Sequence, residues 1–535
     1  MRAKKSTITR RSFIKTGIVA LGAATLPVGR LAAQAKAKYM RYNVMSEGGK
    51  RALASYARGV EAMLKLPAGS PQNWFRNAFI HLMDCPHGNW WFYVWHRGYL
   101  GFFEETIRNL SHDDEFAIPY WDWTTLPQIP DSMFDGVLNP QSQFFEPYTR
   151  NLAVFTGHFQ QALVNYWGTL TTAQLAQLNT RGYTNPDKMW NDVTGYDPAS
   201  KNGISGNMAY AITCGSRYLT RDNPHLDQCT TYDVSPEVIS CGLSPTLFND
   251  PTPALSFTSS KTSSHESPPG SFSVLEGFPH NKVHNYIGGV GPIDPGPYGN
   301  MTNFLSPVDP IFFLHHSNMD RLWDVWTNKQ KQRGLPYLPT GADLVQLSEE
   351  PFLFYVNGSG QYVGTSKAGD YLRTERFNYD YEPGGFGEKI QTTGLLQKMP
   401  PVKGTVRGSQ ATVTLSTSAI QQHLQSGTPP SLVAEVTLPQ PNVNSPGREF
   451  DVLVGAPADA PGDCQSPSYA GTMAFFGPTM NMLAGHNVTF VVPLPKKAEA
   501  FHNLTAATVA VNIRVVPHAR GQALPSIKAL TVRMR

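Results

Sequence analysis

Charge is scarce in this chain. Asp, Glu, Lys and Arg make up 16% of its 535 residues, well under the ~25% of ordinary globular domains. Hydrophobic residues reach 41% and aromatics 11%. That balance excludes a disordered protein or an extended coiled coil and leaves a chain able to bury a large core. Long apolar runs are absent too, none reaching the ~18 residues of a bilayer span. Residues 1–35 lack any acid but carry Arg2, Lys4, Lys5, Arg10, Arg11, Lys15 and Arg30. Without these seven charges the formal net charge moves from +4 to −3, so the basic footprint of a nucleic-acid binder is missing. Cysteine is rare and odd in number, at positions 85, 214, 229, 241 and 464, and no histidine precedes His81. What is plentiful is punctuation: 43 prolines and 46 glycines predict many loops between short elements.

The first 35 residues read as a targeting segment. Basic residues ending in Arg10-Arg11-Ser12-Phe13-Ile14-Lys15 precede an apolar run over 17–28, and Ala33-Gln34-Ala35 supplies small-x-small cleavage chemistry. The run is too short to cross a membrane. The arginine pair and its flank resemble a bacterial twin-arginine signal. That resemblance implies export of the folded protein to the periplasm or beyond, with no stable membrane insertion after the signal is removed.

Apolar spacing predicts helices over 58–65, 73–83 and 89–110. Residues 180–275, rich in Asn, Asp, Gly, Ser, Thr and Pro, read as a loop-rich insertion. Helices return over 280–286, stopped by Gly288-Gly289, and over 309–331, where Asp309 is the expected N-cap and Pro310 the first helical residue. Beyond about 395, β-branched runs at 411–415, 432–438, 449–454, 488–492 and 507–516 predict an antiparallel sandwich or barrel. The expected organisation is therefore a mainly α domain over 36–382, a linker over 383–394 and a β domain over 395–535.

Six histidines fall into two groups with ligand-like spacing: His81, His87 and His96, then His280, His284 and His316. His280 and His284 are four apart and share a helix face. All-imidazole groups without carboxylates argue against magnesium, calcium and the two-histidine, one-carboxylate iron site. They suit zinc or copper. A pair of coppers makes chemical sense with dioxygen, because each Cu(I) gives one electron and bound peroxide needs two.

Around these histidines, Trp95-His96-Arg97-Gly98-Tyr99-Leu100, Ile118-Pro119-Tyr120-Trp121-Asp122-Trp123, His280-Asn281-Lys282-Val283-His284 and Asp309-Pro310-Ile311-Phe312-Phe313-Leu314-His315-His316-Ser317-Asn318-Met319-Asp320-Arg321-Leu322-Trp323 closely resemble tyrosinases. The resemblance implies a four-helix bundle around a dicopper centre, with His81, His87 and His96 on one copper and His280, His284 and His316 on the other. His315 is then the neighbour of a ligand, with its own ligation the alternative. It implies a thioether between Cys85 and His87, which would leave Cys214, Cys229, Cys241 and Cys464 for two disulfides of open pairing. Glu276 and Asn281 match residues that assist removal of a phenol proton. The gate over the second copper falls between 299 and 306, at Met301 or Asn303. The β domain resembles the shielding domain of plant polyphenol oxidases, on Arg448-Glu449-Phe450-Asp451-Val452-Leu453-Val454 and Tyr379-Asp380-Tyr381. Its apolar loop over 470–477 would plug the site with Phe475, Phe476 or Met473. The implied activity uses O2 to hydroxylate monophenols to o-diphenols and to oxidise these to o-quinones. Catechol or o-aminophenol oxidation alone, and a hemocyanin-like oxygen carrier, are the alternatives. Phenols and O2 are the expected partners, nucleic acid is not, and a homo-oligomer is open.

Overall fold

The computed structural model describes residues 37–194, 217–293, 298–389, 399–427, 432–441, 447–477 and 486–535. The 1–35 segment, Cys214 and residues 390–394 of the 383–394 linker lie outside the described residues. A mainly helical part occupies the chain up to the linker, and a β-sandwich follows it.

Helix α1 (Glu47–Lys65) starts where the Ser46 hydroxyl accepts from the Gly49 amide, with Glu47 in its first turn and Lys65 in its last, as the helix dipole favours. Helix α2 (Trp74–Asp84) is capped by Asn73, whose side chain accepts from the Phe75 and Arg76 amides. Helix α3 (Phe92–Ser111) is buried on nearly every side, which explains its run of aromatic residues. Helix α4 (Asn281–Gly288) ends at Gly289, whose φ of 101° is left-handed and suits glycine. Helix α5 (Ile311–Gln332) begins one residue later than a cap at Asp309 implies: Pro310 takes the cap position, while Asp309 Oδ1 accepts from the Ile311 amide. Among its described residues the 180–275 stretch contributes three short α-helices, Pro186–Thr194, Gln228–Asp233 and Pro236–Gly242.

Strand β1 (Tyr39–Arg41) pairs in parallel with β3 (Tyr379–Tyr381), closing a buried charge network beneath α3 and α5. Arg41 bridges Glu104 and Asp320, and Arg97 reaches the other oxygen of Asp320, each at 2.8 Å. The hydroxyls of Tyr379 and Tyr381 also donate to Asp320. Removing one partner of such a buried network costs about 3–5 kcal/mol, so it holds the register of the two helices.

The sandwich has two five-stranded sheets. One runs β2 (Ser271–Phe272), β10 (Asn487–Pro493), β7 (Leu432–Pro439), β12 (Ala529–Met534), β4 (Val402–Lys403); the other runs β5 (Thr405–Arg407), β6 (Gln410–Ser416), β11 (Thr508–Pro517), β8 (Glu449–Val454), β9 (Tyr469–Ala474). Strand β2 belongs to the helical part of the chain, yet it pairs in parallel with β10. The stretch expected as an apolar loop over 470–477 is strand β9 as far as Ala474, antiparallel to β8. Only Phe475–Gly477 continue beyond it among the described residues. One buried apolar cluster joins Phe272, Val274 and Phe278 to the sandwich core.

Candidate metal centre

Helices α2, α3, α4 and α5 converge on the two histidine groups. His81 lies one turn before the end of α2, His87 in the loop after it and His96 on α3. His280 closes a wide π-turn (Glu276–His280) leading into α4, His284 lies on α4 and His316 on α5. Donor atoms of His81, Cys85, His87 and His96 lie within 4.8 Å of one another, as do those of His280, His284, His315 and His316. The His96 and His316 rings stack at 4.0 Å, 8° from parallel, so the groups are adjacent.

Backbone carbonyls set most of the ring orientations. The Nδ1 of His81 meets the Phe304 carbonyl at 2.7 Å, that of His96 the Phe92 carbonyl at 2.8 Å and that of His284 the Met301 carbonyl at 2.8 Å. His280 Nδ1 lies 2.8 Å from Asn281 Oδ1. A carbonyl only accepts, so each of these rings carries its proton on Nδ1 and offers an Nε2 lone pair inward. The Nε2 atoms of His96 and His280 are buried with no hydrogen-bond partner, as are Nδ1 of His316 and both nitrogens of His315. Burial pushes His81 and His280 down to about 3 and lowers the other five as well. Neutral, buried, unpartnered imidazoles are costly unless an ion takes the lone pairs, and a soft divalent ion fits this donor set.

Cys85 Sγ lies 3.0 Å from His81 Nε2, and 3.1 and 3.5 Å from the two nitrogens of His87. Glu276 is wholly buried: one carboxylate oxygen accepts from the Gly88 amide at 2.6 Å and the other from the Ser259 hydroxyl. Burial, opposed by those two bonds, pushes it up to about 8. Asn281 donates from Nδ2 to the Ala474 carbonyl at 2.7 Å, so the second histidine group is tied to the end of β9. The Met301 side chain is in the core; its carbonyl is what meets the site. Asn303 turns its Oδ1 to the Leu305 amide. The ring at this edge is Phe304, stacked on His87 at 5.1 Å and 6°.

Of the three plug candidates only Phe476 reaches the histidines, at 4.9 Å from His87, 5.6 Å from His280 and 4.3 Å from His284. Phe475 turns the other way, onto Phe272, Phe450 and Phe490, and Met473 is in the sandwich core. Sequence reasoning missed Phe304, Ser259 and the orienting carbonyls. The first has an aromatic signal in a promising stretch. Carbonyls have none, since every residue carries one. Of the remaining cysteines, Cys229 pairs with Cys464, while Cys85 and Cys241 are free and buried.

Two adjacent all-imidazole clusters inside a helical bundle, closed by a β-sandwich, define a binuclear copper protein. A family model described as the common central domain of tyrosinase matches residues 70–329. Over residues 70–329 the chain is a tyrosinase central domain, and the cofactor of that domain is a pair of copper ions. Polyphenol oxidase II of Ipomoea batatas is 25% identical over 352 residues, covering 62% of this chain and 48% of that protein. The (+)-larreatricin hydroxylase of Larrea tridentata is 25% identical over 325 residues, covering 57% of this chain and 44% of that one. The chain thus spans about half the length of these relatives. A solved latent aurone synthase shares the fold over 94% of this chain and 91% of its own, with a TM-score of 0.51 and 18% identity. Among the described residues no helix is long and apolar enough to cross a membrane.

Proposed function

We propose that the protein is a tyrosinase, which hydroxylates monophenols to o-diphenols and oxidises these to o-quinones. His81, His87 and His96 hold one copper and His280, His284 and His316 the other. The observation that carries this reading is the Phe476 ring seated among His87, His280 and His284, which marks a space for a planar aromatic ring beside both groups. The copper pair supplies the two electrons that dioxygen requires. Phe304 offers a flat wall against which a substrate ring can stack. In its ionised form Glu276, held by Gly88 and Ser259, takes the phenol proton, and Asn281 fixes His280 in the productive orientation. The Cys85 sulfur flanks the ring carbon between the His87 nitrogens, the position for the thioether. A larreatricin hydroxylase among the relatives supports hydroxylation, and the disulfide supports an exported protein.

A second reading, catechol oxidation alone, draws on Asn281: both of its polar atoms are engaged, by His280 and by the Ala474 carbonyl. Oxygen uptake by the Phe476→Ala protein with L-tyrosine and with L-DOPA decides between them. Uptake with both is expected, with Glu276→Gln lowering the tyrosine rate at least tenfold more than the L-DOPA rate, within the range of a lost proton-transfer group. Uptake with L-DOPA only, without a tyrosine phase, makes the catechol reading correct.

A further inference from the structure

Behind the first histidine group lies a buried cluster that the catalytic reading does not use. His265 is 1% exposed. Its Nδ1 lies 2.6 Å from Glu350 Oε1, and its Nε2 lies 3.1 Å from Asp84 Oδ1 and 2.9 Å from Glu266 Oε1. A carboxylate only accepts, so both ring nitrogens donate and the ring is an imidazolium. Burial by itself would lower the affinity of this ring for its second proton, but Glu266 and the bonds to Asp84, Glu266 and Glu350 outweigh it and raise it well above the usual range. Arg181 completes the cluster by pairing with Glu266. Three carboxylates thus share two cations.

Three members of this cluster, Asp84, Arg181 and His265, hold the backbone or a side chain near a ligand. Asp84 ends α2, and its other oxygen accepts from Trp95 Nε1 at 2.7 Å; Trp95 precedes His96 and packs its ring edge against His81. The Arg181 guanidinium donates to the Cys85 carbonyl at 2.8 Å. Asn89 Nδ2 donates to the His265 carbonyl at 3.1 Å, so the two ends of the 84–89 loop that carries His87 are both fastened to this cluster. The segment that carries His280 and His284 has a buried charge of its own, Lys282, paired with Glu449 of the sandwich and not with this cluster, so the two sites are fastened separately.

We propose that His265 is a positioning residue for the first copper: its imidazolium gathers Asp84, Glu266 and Glu350, and so holds the 84–89 loop and Trp95 where His81, His87 and His96 converge. This rests on the assignment of those three histidines to one copper. With the imidazolium gone, three carboxylates share the Arg181 charge. Asp84 is then repelled from Glu266 and Glu350, and its grip on Trp95 and the loop loosens. The second site, carried by α4 and α5, is left as it was.

The test is copper content and Cu(II) electron paramagnetic resonance on the full chain. Wild type is expected to hold two coppers whose Cu(II) spins are coupled and silent. His265→Gln should fall to about one copper per chain, with the resonance of a single uncoupled Cu(II) appearing at about one spin per chain. His265→Gln/Glu350→Gln keeps the net charge of the cluster and should recover the second copper and the silence. Two coppers in His265→Gln, loss of both coppers together in a protein with native circular dichroism, or a double variant no better than the single overturns the proposal. Should the single variant fail to fold, the folded double variant decides: two coppers support the charge balance, and fewer overturn it. A wild type that binds only one copper would refute the underlying ligand assignment instead.

Discussion

Phe475 and Phe476 follow directly on β9, which stops at Ala474, and as neighbours on an extended chain they face opposite ways. Alternation along the strand carries Phe475 into the sandwich core, and the chain then turns Phe476 onto the histidines. Their truncation should separate cleanly. Phe475→Ala leaves a cavity beside Phe272 and Phe490 and should cost about 3–5 kcal/mol of stability, read by denaturant unfolding. Phe476→Ala should leave stability within about 1 kcal/mol, since that side chain is only half-buried. It should raise activity on L-DOPA by lowering the apparent substrate constant. A second residue sets a pH dependence. Burial first, then Asp320 and Asp380, push Asp324 up to about 6 against the pull of Arg97. Unfolded, it titrates near 3.9. A carboxyl raised in the folded state contributes stability below about pH 4 that is lost as the pH rises through 6. Asp324→Asn should therefore stabilise the protein by about 1–2 kcal/mol at pH 8, after allowance for its partial exposure, and by nothing at pH 4. Unfolding midpoints at the two pH values check it.

Among the elements, the helices over 73–83, 89–110 and 309–331 were legible from apolar spacing to within a few residues, because burial of one face repeats with the helical period. The π-turn before α4 was not. Pro279 sits inside it and has no amide to donate, so the regular ladder cannot pass through this turn. The wider turn sets where Glu276 stands relative to His280. Strand β9 was also missed, since its Gly471 and small residues look like loop. Helix α3 carries a tight contact that can be tested: a Cβ on Gly101 would lie 2.3 Å from the Phe377 ring. Gly101→Ala should lower stability by about 1–3 kcal/mol through overpacking, measured as a shift of the denaturant midpoint. An unchanged midpoint would mean that Phe377 swings aside freely.

At the scale of the whole molecule, the β-sandwich is joined to the helical part by more than the chain. Cys229–Cys464 links the two across 235 residues of sequence, Lys282 on α4 pairs with Glu449 at 2.5 Å, and Arg535 donates to the Cys241 carbonyl at 3.0 Å. A cut within 383–398 should therefore leave the halves in one species on a non-reducing denaturing gel and in two on a reducing one. Because a tethered ring remains at high effective concentration over the site, the cut wild type should stay slow on L-DOPA. The cut Cys464→Ser protein should become faster on dilution. Equal rates for both at every dilution would show that the disulfide does not hold the sandwich in place.

The sequence by itself determined what is written in short-range periodicity and residue type: the α-then-β order, the helices of the bundle and an all-imidazole donor set at two spacings that suits copper. These are local patterns, and each is legible without knowing what packs against it. Tertiary structure decided the rest. It chose Phe476 over Phe475 and Met473, paired Cys229 with Cys464, added β2 to a sheet formed more than a hundred residues later, and set the rings of His81 and His284 with the carbonyls of Phe304 and Met301. Such choices depend on backbone groups that every residue shares, or on partners far away in the chain, so only the packed molecule distinguishes them.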